Sequence, residues 1–279
     1  MHPRTEALID LALDEDAGLG DITSEAIFPA DHVSRAEIVA REDLIICGLD
    51  VARRVFTRLD SSLEVGLTAS DGDRVQNEQV VMWAKGSTVS LLIAERTALN
   101  FLQHLSGVAT LAGRFADAAK AASSDVRIVD TRKTLPGWRA LEKYAVRCGG
   151  CFNHRSSLGE HVLIKDNHIA AAGSLATAVE SCRANAPHTA KIEVEADTLD
   201  QVKQALEAGA EAILLDNMQP AQIREAIALI GKSAIVEVSG GVDLETIPQY
   251  ALPGVDVISV GALTHSAPAA DISMAISDL

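Results

Sequence analysis

Aromatic residues make up only 3% of this 279-residue chain, and its formal net charge is −15. Together these remove nucleic-acid binding from consideration, because such a surface needs a basic stripe interleaved with stacking rings. Cysteine is scarce as well, and four residues in a chain of this length do not make a disulfide framework. No apolar run approaches the roughly 18 residues of a membrane span. The opening segment MHPRTEALIDLALDED is acidic and lacks the apolar core of a secretion signal. A cytoplasmic protein without a membrane partner is expected. What is plentiful is apolar content, 48%, enough for one large α/β domain and a smaller companion.

Positive charge is concentrated in one place. From Arg132 to Asp166 seven Lys and Arg (Arg132, Lys133, Arg139, Lys143, Arg147, Arg155, Lys165) face three acids (Glu142, Glu160, Asp166), a local balance of +4 inside an acidic protein. Guanidinium and ammonium groups gathered in this way serve carboxylates or phosphates, since charge-assisted and bidentate hydrogen bonds are the strong ones. Arg139, Glu142, Lys143 and Arg147 follow helical i, i+3, i+4 spacing, and Lys143 and Arg147 read as a structural helix face. Arg132, Lys133, Arg155 and Lys165 fit no such pattern.

The first 110 residues combine a leading helix with strand-like runs at Ala36–Ala40, Leu63–Leu67 and Val80–Trp83, with a turn at Asp71-Gly72-Asp73. They predict a small N-terminal α/β sandwich, hammerhead-like, over residues 1–110. Glu95–Ala122, interrupted at Ser106-Gly107, predicts two helices. Over residues 111–279 short apolar strands recur, ending near 130, 165, 195, 216, 239 and 261, and each gap holds one helix. Two of these helices are well marked, Thr198–Ala208 before Gly209 and one from Pro220 to Gly231. The alternation predicts an incomplete (β/α) barrel of six or seven parallel strands, with a possible seventh near Cys151-Phe152-Asn153. An open doubly wound sheet is the alternative.

Glu195 and Asp216 close consecutive strands, where paired oxygen ligands suit a Mg²⁺ shared with substrate phosphates; capping carboxylates are the plainer reading. Ser239-Gly240-Gly241 and Ser259-Val260-Gly261 follow the last two strands, positions at which backbone N–H groups hold phosphate.

Taken in order, ERTALNFLQHLSG, DTRKT, PGWRALEKYAV, NHR, VLIKDNHI, EVE, LLDN, SGG and SVGALTHS resemble the quinolinate phosphoribosyltransferases over nearly the whole chain, from Gly20-Asp21-Ile22-Thr23 to about Pro268. The resemblance implies transfer of phosphoribose from phosphoribosyl pyrophosphate to quinolinate, with loss of pyrophosphate and CO₂, giving nicotinate mononucleotide for NAD biosynthesis. It implies that Arg132, His154, Arg155 and Lys165 hold the two quinolinate carboxylates and that Lys133 meets the pyrophosphate. Glu195 and Asp216 face the ribose hydroxyls and Mg²⁺, while Ser239, Gly240, Gly241 and Gly261 take the 5-phosphate. By the same resemblance Arg96 enters the neighbouring subunit's site, which makes the assembly a homodimer or homohexamer.

The chain departs from the family pattern at Cys148-Gly149-Gly150-Cys151, where glycines are common, and at Leu135. The CxxC spacing raises a redox or zinc role with His154 as a further ligand. Three other readings stand beside the transferase. They are a molybdenum-uptake-associated relative that shares DTRKT, a non-catalytic pyridine- or nucleotide-binding protein, and an aldolase-type barrel with Lys165 as a Schiff-base lysine.

Overall fold

The protein is described from a computed structural model over residues 2–122 and 125–278. Its first elements are α1 (Pro3–Ala17), α2 (Ile22–Ile27), β1 (Val33–Ala40), β2 (Leu44–Ile45), α3 (Leu49–Leu59), β3 (Glu64–Leu67), β4 (Arg74–Val75), β5 (Val80–Ser87) and α4 (Thr88–Ala122). There follow β6 (Arg127–Val129), α5 (Arg139–Cys148), β7 (Val162–Ile164), α6 (Asp166–Ala172), α7 (Leu175–Asn185), β8 (Ile192–Ala196), α8 (Leu199–Glu207) and β9 (Ala212–Asp216). The last are α9 (Pro220–Ile230), β10 (Ile235–Ser239), α10 (Ile247–Tyr250), β11 (Val257–Ser259), α11 (Ala262–His265) and β12 (Ile272–Asp278). Two compact units result, one of Met1–Gly113, Leu135–Gly150 and Ser266–Leu279, the other of Arg114–Thr134 and Cys151–His265.

The second unit is the barrel. Its parallel sheet runs β6-β11-β10-β9-β8-β7, and Phe152 adds a parallel bridge to Val129 on the free side of β6, at the place anticipated for a seventh strand. Read in space, the chain segments follow one another in cyclic sequence order, and the first strand, β6, pairs with the last, β11. An open doubly wound sheet reverses its strand order at a switch point; this one does not. Among the described residues no ladder joins the Phe152 bridge to β7, so the ring carries one seam. The strands are short apolar runs because both faces are covered, as in Ile213, Leu214 and Leu215 of β9. Helices are set by their ends. Thr198 caps α8 in a reciprocal box with Gln201, and Pro220 opens α9 at its first turn.

The first unit is antiparallel. Its four-stranded sheet has the order β12-β1-β5-β3, so the C-terminal strand pairs with β1 along Ser34–Ala40. The runs read from the sequence at Ala36, Leu63 and Val80 are β1, β3 and β5. The prediction of two helices over Glu95–Ala122 is corrected, because α4 is continuous through Ser106-Gly107. Here the pair marks a close contact rather than a break. A Cβ on Gly107 would lie 2.0 Å from the Pro268 carbonyl oxygen, and Ser106 Oγ accepts from Cys47 N at 3.0 Å while donating to Cys47 O at 3.2 Å. The helix expected around Arg139–Arg147 is α5, and Glu142 is fully buried on it, accepting from His104 Nε2 at 2.8 Å and from Leu135 N at 3.1 Å.

Candidate active site

The C-terminal ends of the barrel strands surround a cavity of about 380 Å³. Arg132, Lys133, His154, Arg155 and Lys165 line it together with Glu195, Asp216, Ser239 and Ser259, so nine of the positions singled out in sequence surround one opening, with Gly240 and Gly241 in the loop directly after Ser239 and Gly261 two residues after Ser259. Arg96 lies on α4 in the first unit and is exposed.

Each side chain is aimed by a local device. Asp130, fully buried just beyond β6, accepts from Asn153 Nδ2 at 2.5 Å and from His154 N at 2.9 Å, which ties the segment after the Phe152 bridge to the end of β6. Arg155 is buried and its Nη1 donates to the His161 carbonyl at 3.1 Å. Burial, and then the Arg132 charge beside it, lowers the Arg155 guanidinium from its ordinary value, the mark of two like charges held close enough to call for an anion. Lys165 ends β7 and is paired through Nζ with Glu195 Oε2 at the end of β8. His168 closes the turn that follows, its Nδ1 accepting from Lys165 N at 2.9 Å. Lys133 is held through its carbonyl, which accepts from Thr264 Oγ1 at 2.6 Å, and the Gly261 Cα approaches the Lys133 side chain so closely that a Cβ there would stand 3.1 Å from Cδ.

Asp216 ends β9 and accepts from Asn217 Nδ2 at 2.7 Å. Asn217 N donates to Ser239 O at 2.9 Å, and Gly240, at φ +94°, leaves no room for a side chain, since its Cβ would sit 2.2 Å from Asn217 Oδ1. The SGG loop is therefore locked against the Asp216 turn. Glu195 and Asp216 supply hard oxygen donors on adjoining strands but no closed cage, a donor set that fits Mg²⁺ completed by substrate phosphates.

Beneath these groups lies a layer the sequence reading did not single out. Glu193 and Glu237 sit two residues before Glu195 and Ser239, on the same strand faces, and are 4% and 5% exposed. His154 Nε2 stands 3.5 Å from Glu193 Oε2 and 3.4 Å from Glu237 Oε1, and His161 Nε2 is 3.2 Å from Glu193. Burial alone would lower His154, but the two glutamates outweigh it and raise the imidazole to about 9. Burial alone would raise Glu193, but His154 and His161 outweigh that and hold it at about 2, while burial and the neighbouring Glu193 charge raise Glu237. The signal that finds these acids is the period-two offset from a functional strand end.

All four cysteines are free thiols. Burial pushes Cys151 up to about 12, and a hydrogen bond with Cys47 lowers Cys148. Among the described residues the cluster of three or more His, Cys, Asp or Glu side chains close enough to hold a metal together is His154, His161 and Glu193, without a cysteine.

The quinolinate phosphoribosyl transferase C-terminal domain matches residues 108–275, and the N-terminal domain of the same enzymes matches residues 21–106. The chain belongs to the quinolinate phosphoribosyltransferase family. It is 40% identical over 277 residues to a probable carboxylating nicotinate-nucleotide pyrophosphorylase of Bacillus subtilis, covering 99% of this chain and 94% of that protein. A decarboxylating quinolinate phosphoribosyltransferase of Nicotiana glauca is 41% identical, covering 99% of this chain and 83% of that one. Among solved structures, NadC from Streptococcus pyogenes superposes with a TM-score of 0.95 at 40% identity, over 100% of this chain and 99% of that one. The molybdenum-linked and non-catalytic readings find no support among these quinolinate phosphoribosyltransferase relatives.

Proposed function

We propose that this chain transfers phosphoribose from phosphoribosyl pyrophosphate to quinolinate and releases pyrophosphate and CO₂, giving nicotinate mononucleotide. The observation that carries the reading is the cavity itself, where five cationic side chains and two strand-end carboxylates converge on about 380 Å³. A pyridine with two carboxylates matches the cations, and a ribosyl pyrophosphate matches the remainder.

Arg132, His154, Arg155 and Lys165 bind and orient the quinolinate carboxylates, placing the ring nitrogen toward C1 of the ribose. Glu195 and Asp216 receive the ribose hydroxyls and would hold Mg²⁺, which when bound neutralises charge on the departing pyrophosphate. Lys133 adds to that neutralisation. Ser239, Gly240, Gly241 and Gly261 offer the backbone N–H groups of their loops to the 5-phosphate. Alkylation of the ring nitrogen makes the pyridine cationic, so it can accept the electron pair released when the C2 carboxylate leaves. Position and exclusion of water then suffice for that bond to break. We place Arg96 in the active site of a second subunit of a homodimer or homohexamer, and the protein in the cytoplasm; among the described residues no helix is long and apolar enough to cross a membrane.

The test is incubation with quinolinate, phosphoribosyl pyrophosphate and Mg²⁺, following nicotinate mononucleotide and CO₂ together. Equal yields of both that disappear in Arg132→Ala support the reading. Absence of product with the unaltered protein rejects it.

A further inference from the structure

Resting on the transfer just proposed, a ribose 5-phosphate has to be held at both ends, its hydroxyls by Asp216 and its phosphate by the loop after Ser239. Asp216 and Ser239 are register partners on β9 and β10, and both line the cavity. The sheet fixes the two strand ends. It does not fix where the Asp216 carboxylate points or how far the glycine loop stands from it.

We propose that Asn217 is a positioning residue that sets the spacing between the Asp216 carboxylate and the phosphate loop, so that the two act as one site for a pentose 5-phosphate. Its backbone is the first sign. Asn217 sits at φ +54°, and among the described residues Glu78 is the other non-glycine with a positive φ, while twelve glycines occupy such positions. Glycine enters this region without steric cost. A side chain held there, on an exposed residue, calls for a use that glycine could not serve.

The amide supplies that use. Asn217 Nδ2 donates to Asp216 Oδ2 at 2.7 Å, while Oδ1 and Cγ lie against Gly240, where a Cβ would fall 2.2 and 2.7 Å from them. One short side chain therefore touches the carboxylate on one side and the loop backbone on the other. Asparagine suits the task because it tolerates the left-handed conformation and bonds to local groups from it. The backbone contact, from Asn217 N to Ser239 O at 2.9 Å, does not involve the side chain. Removing the amide thus leaves the strand ends joined and frees only the carboxylate and the loop. An exposed contact of this kind adds little to folding, and its effect lies in geometry. A ligand that spans both subsites gains from a fixed spacing, whereas a ligand that fills one of them does not.

The experiment is calorimetric titration of the full-length protein with ribose 5-phosphate and, separately, with inorganic phosphate, both without Mg²⁺. In Asn217→Gly, ribose 5-phosphate is expected to bind about tenfold more weakly. Inorganic phosphate should stay within about twofold, as for sites that share no partner, and Tm should be unaltered. Asn217→Asp keeps the contact with Gly240 but offers Asp216 no amide proton, and it should lose the spanning ligand in the same selective way. In turnover, KM for phosphoribosyl pyrophosphate should rise in both variants while KM for quinolinate holds. Parallel weakening of ribose 5-phosphate and phosphate would make the amide a support of the loop alone and overturn the assignment. Unchanged binding of ribose 5-phosphate in Asn217→Gly, with the unaltered protein active, overturns it as well. An unaltered protein that neither binds ribose 5-phosphate nor forms product overturns the transfer reading, and this inference with it.

Discussion

Lys165 and Glu195 are joined as an ion pair across the ends of neighbouring strands β7 and β8, so the cation we propose for a quinolinate carboxylate is held beforehand by one of the protein's own. Under the proposed assignment quinolinate displaces Glu195 from Lys165, which frees Glu195 for the ribose. Lys165→Ala is therefore expected to weaken quinolinate by ten- to a hundredfold, the equivalent of one charge-assisted hydrogen bond of about 1.5–3 kcal/mol. The same change should leave Tm nearly unaltered, because Lys165 is 47% exposed and such pairs contribute about 0–1 kcal/mol to folding. Titration of quinolinate by calorimetry, with a melting curve on the same sample, checks both halves.

Asp130 acts on folding as much as on the site. It is fully buried, and Asp130→Ala removes the acceptor of the Asn153 side-chain amide and of the His154 backbone N–H. The Asn153 side chain is exposed and can turn to water, so the loss is that of one hydrogen bond to a charged group, about 1.5–3 kcal/mol. Urea unfolding should show a loss in that range, and a variant as stable as the parent would show that the His154 segment is held by something else.

Gly240→Ala tests the phosphate loop. The residue sits at φ +94°, where a side chain is strained, and the added Cβ would meet Asn217 Oδ1 at 2.2 Å and Asn217 N at 2.8 Å. The loop must open away from the Asp216 turn, so KM for phosphoribosyl pyrophosphate should rise at least about tenfold, about 1.4 kcal/mol, with quinolinate affinity less affected. Equal losses for both substrates would mean that the loop supports the whole cavity rather than the phosphate.

Much of this arrangement could be read from the chain because barrel strands are short and their ends are chemically conspicuous. Lys165, Glu195, Asp216 and Ser239 each interrupt an apolar run at a point where a strand needs no polar group. Glu193 and Glu237 escaped notice for the converse reason. Each lies inside its run, two residues before a conspicuous end, and resembles an ordinary polar alternation until the barrel turns that face inward. Ser106-Gly107 misled in the opposite direction. Glycine lowers helix propensity, but local propensity yields where a neighbouring backbone demands the missing Cβ, as Pro268 does here. The Phe152 bridge could be anticipated only as a seventh strand near Cys151-Phe152-Asn153 without fixed bounds, since a single bridge carries no periodicity.

The raised imidazole gives the last prediction, and its sign is fixed by linkage. His154 titrates near 6.5 when unfolded and at about 9 when folded, facing Glu193 and Glu237, with His161 and the Arg155 guanidinium nearby. The folded state therefore binds the proton more tightly, and the stabilisation is fully present below pH 6.5 and is lost as pH rises through 9. A shift of that size corresponds to at most about 3 kcal/mol. Urea unfolding at pH 6.5 and pH 9 should show the native protein losing stability over that interval, and His154→Gln, which cannot take up the charge, should flatten the difference. Quinolinate affinity should decline over the same interval in the native protein, because the site gives up one of the charges that face a carboxylate. An unchanged slope in His154→Gln would show that the pH dependence does not come from this imidazole.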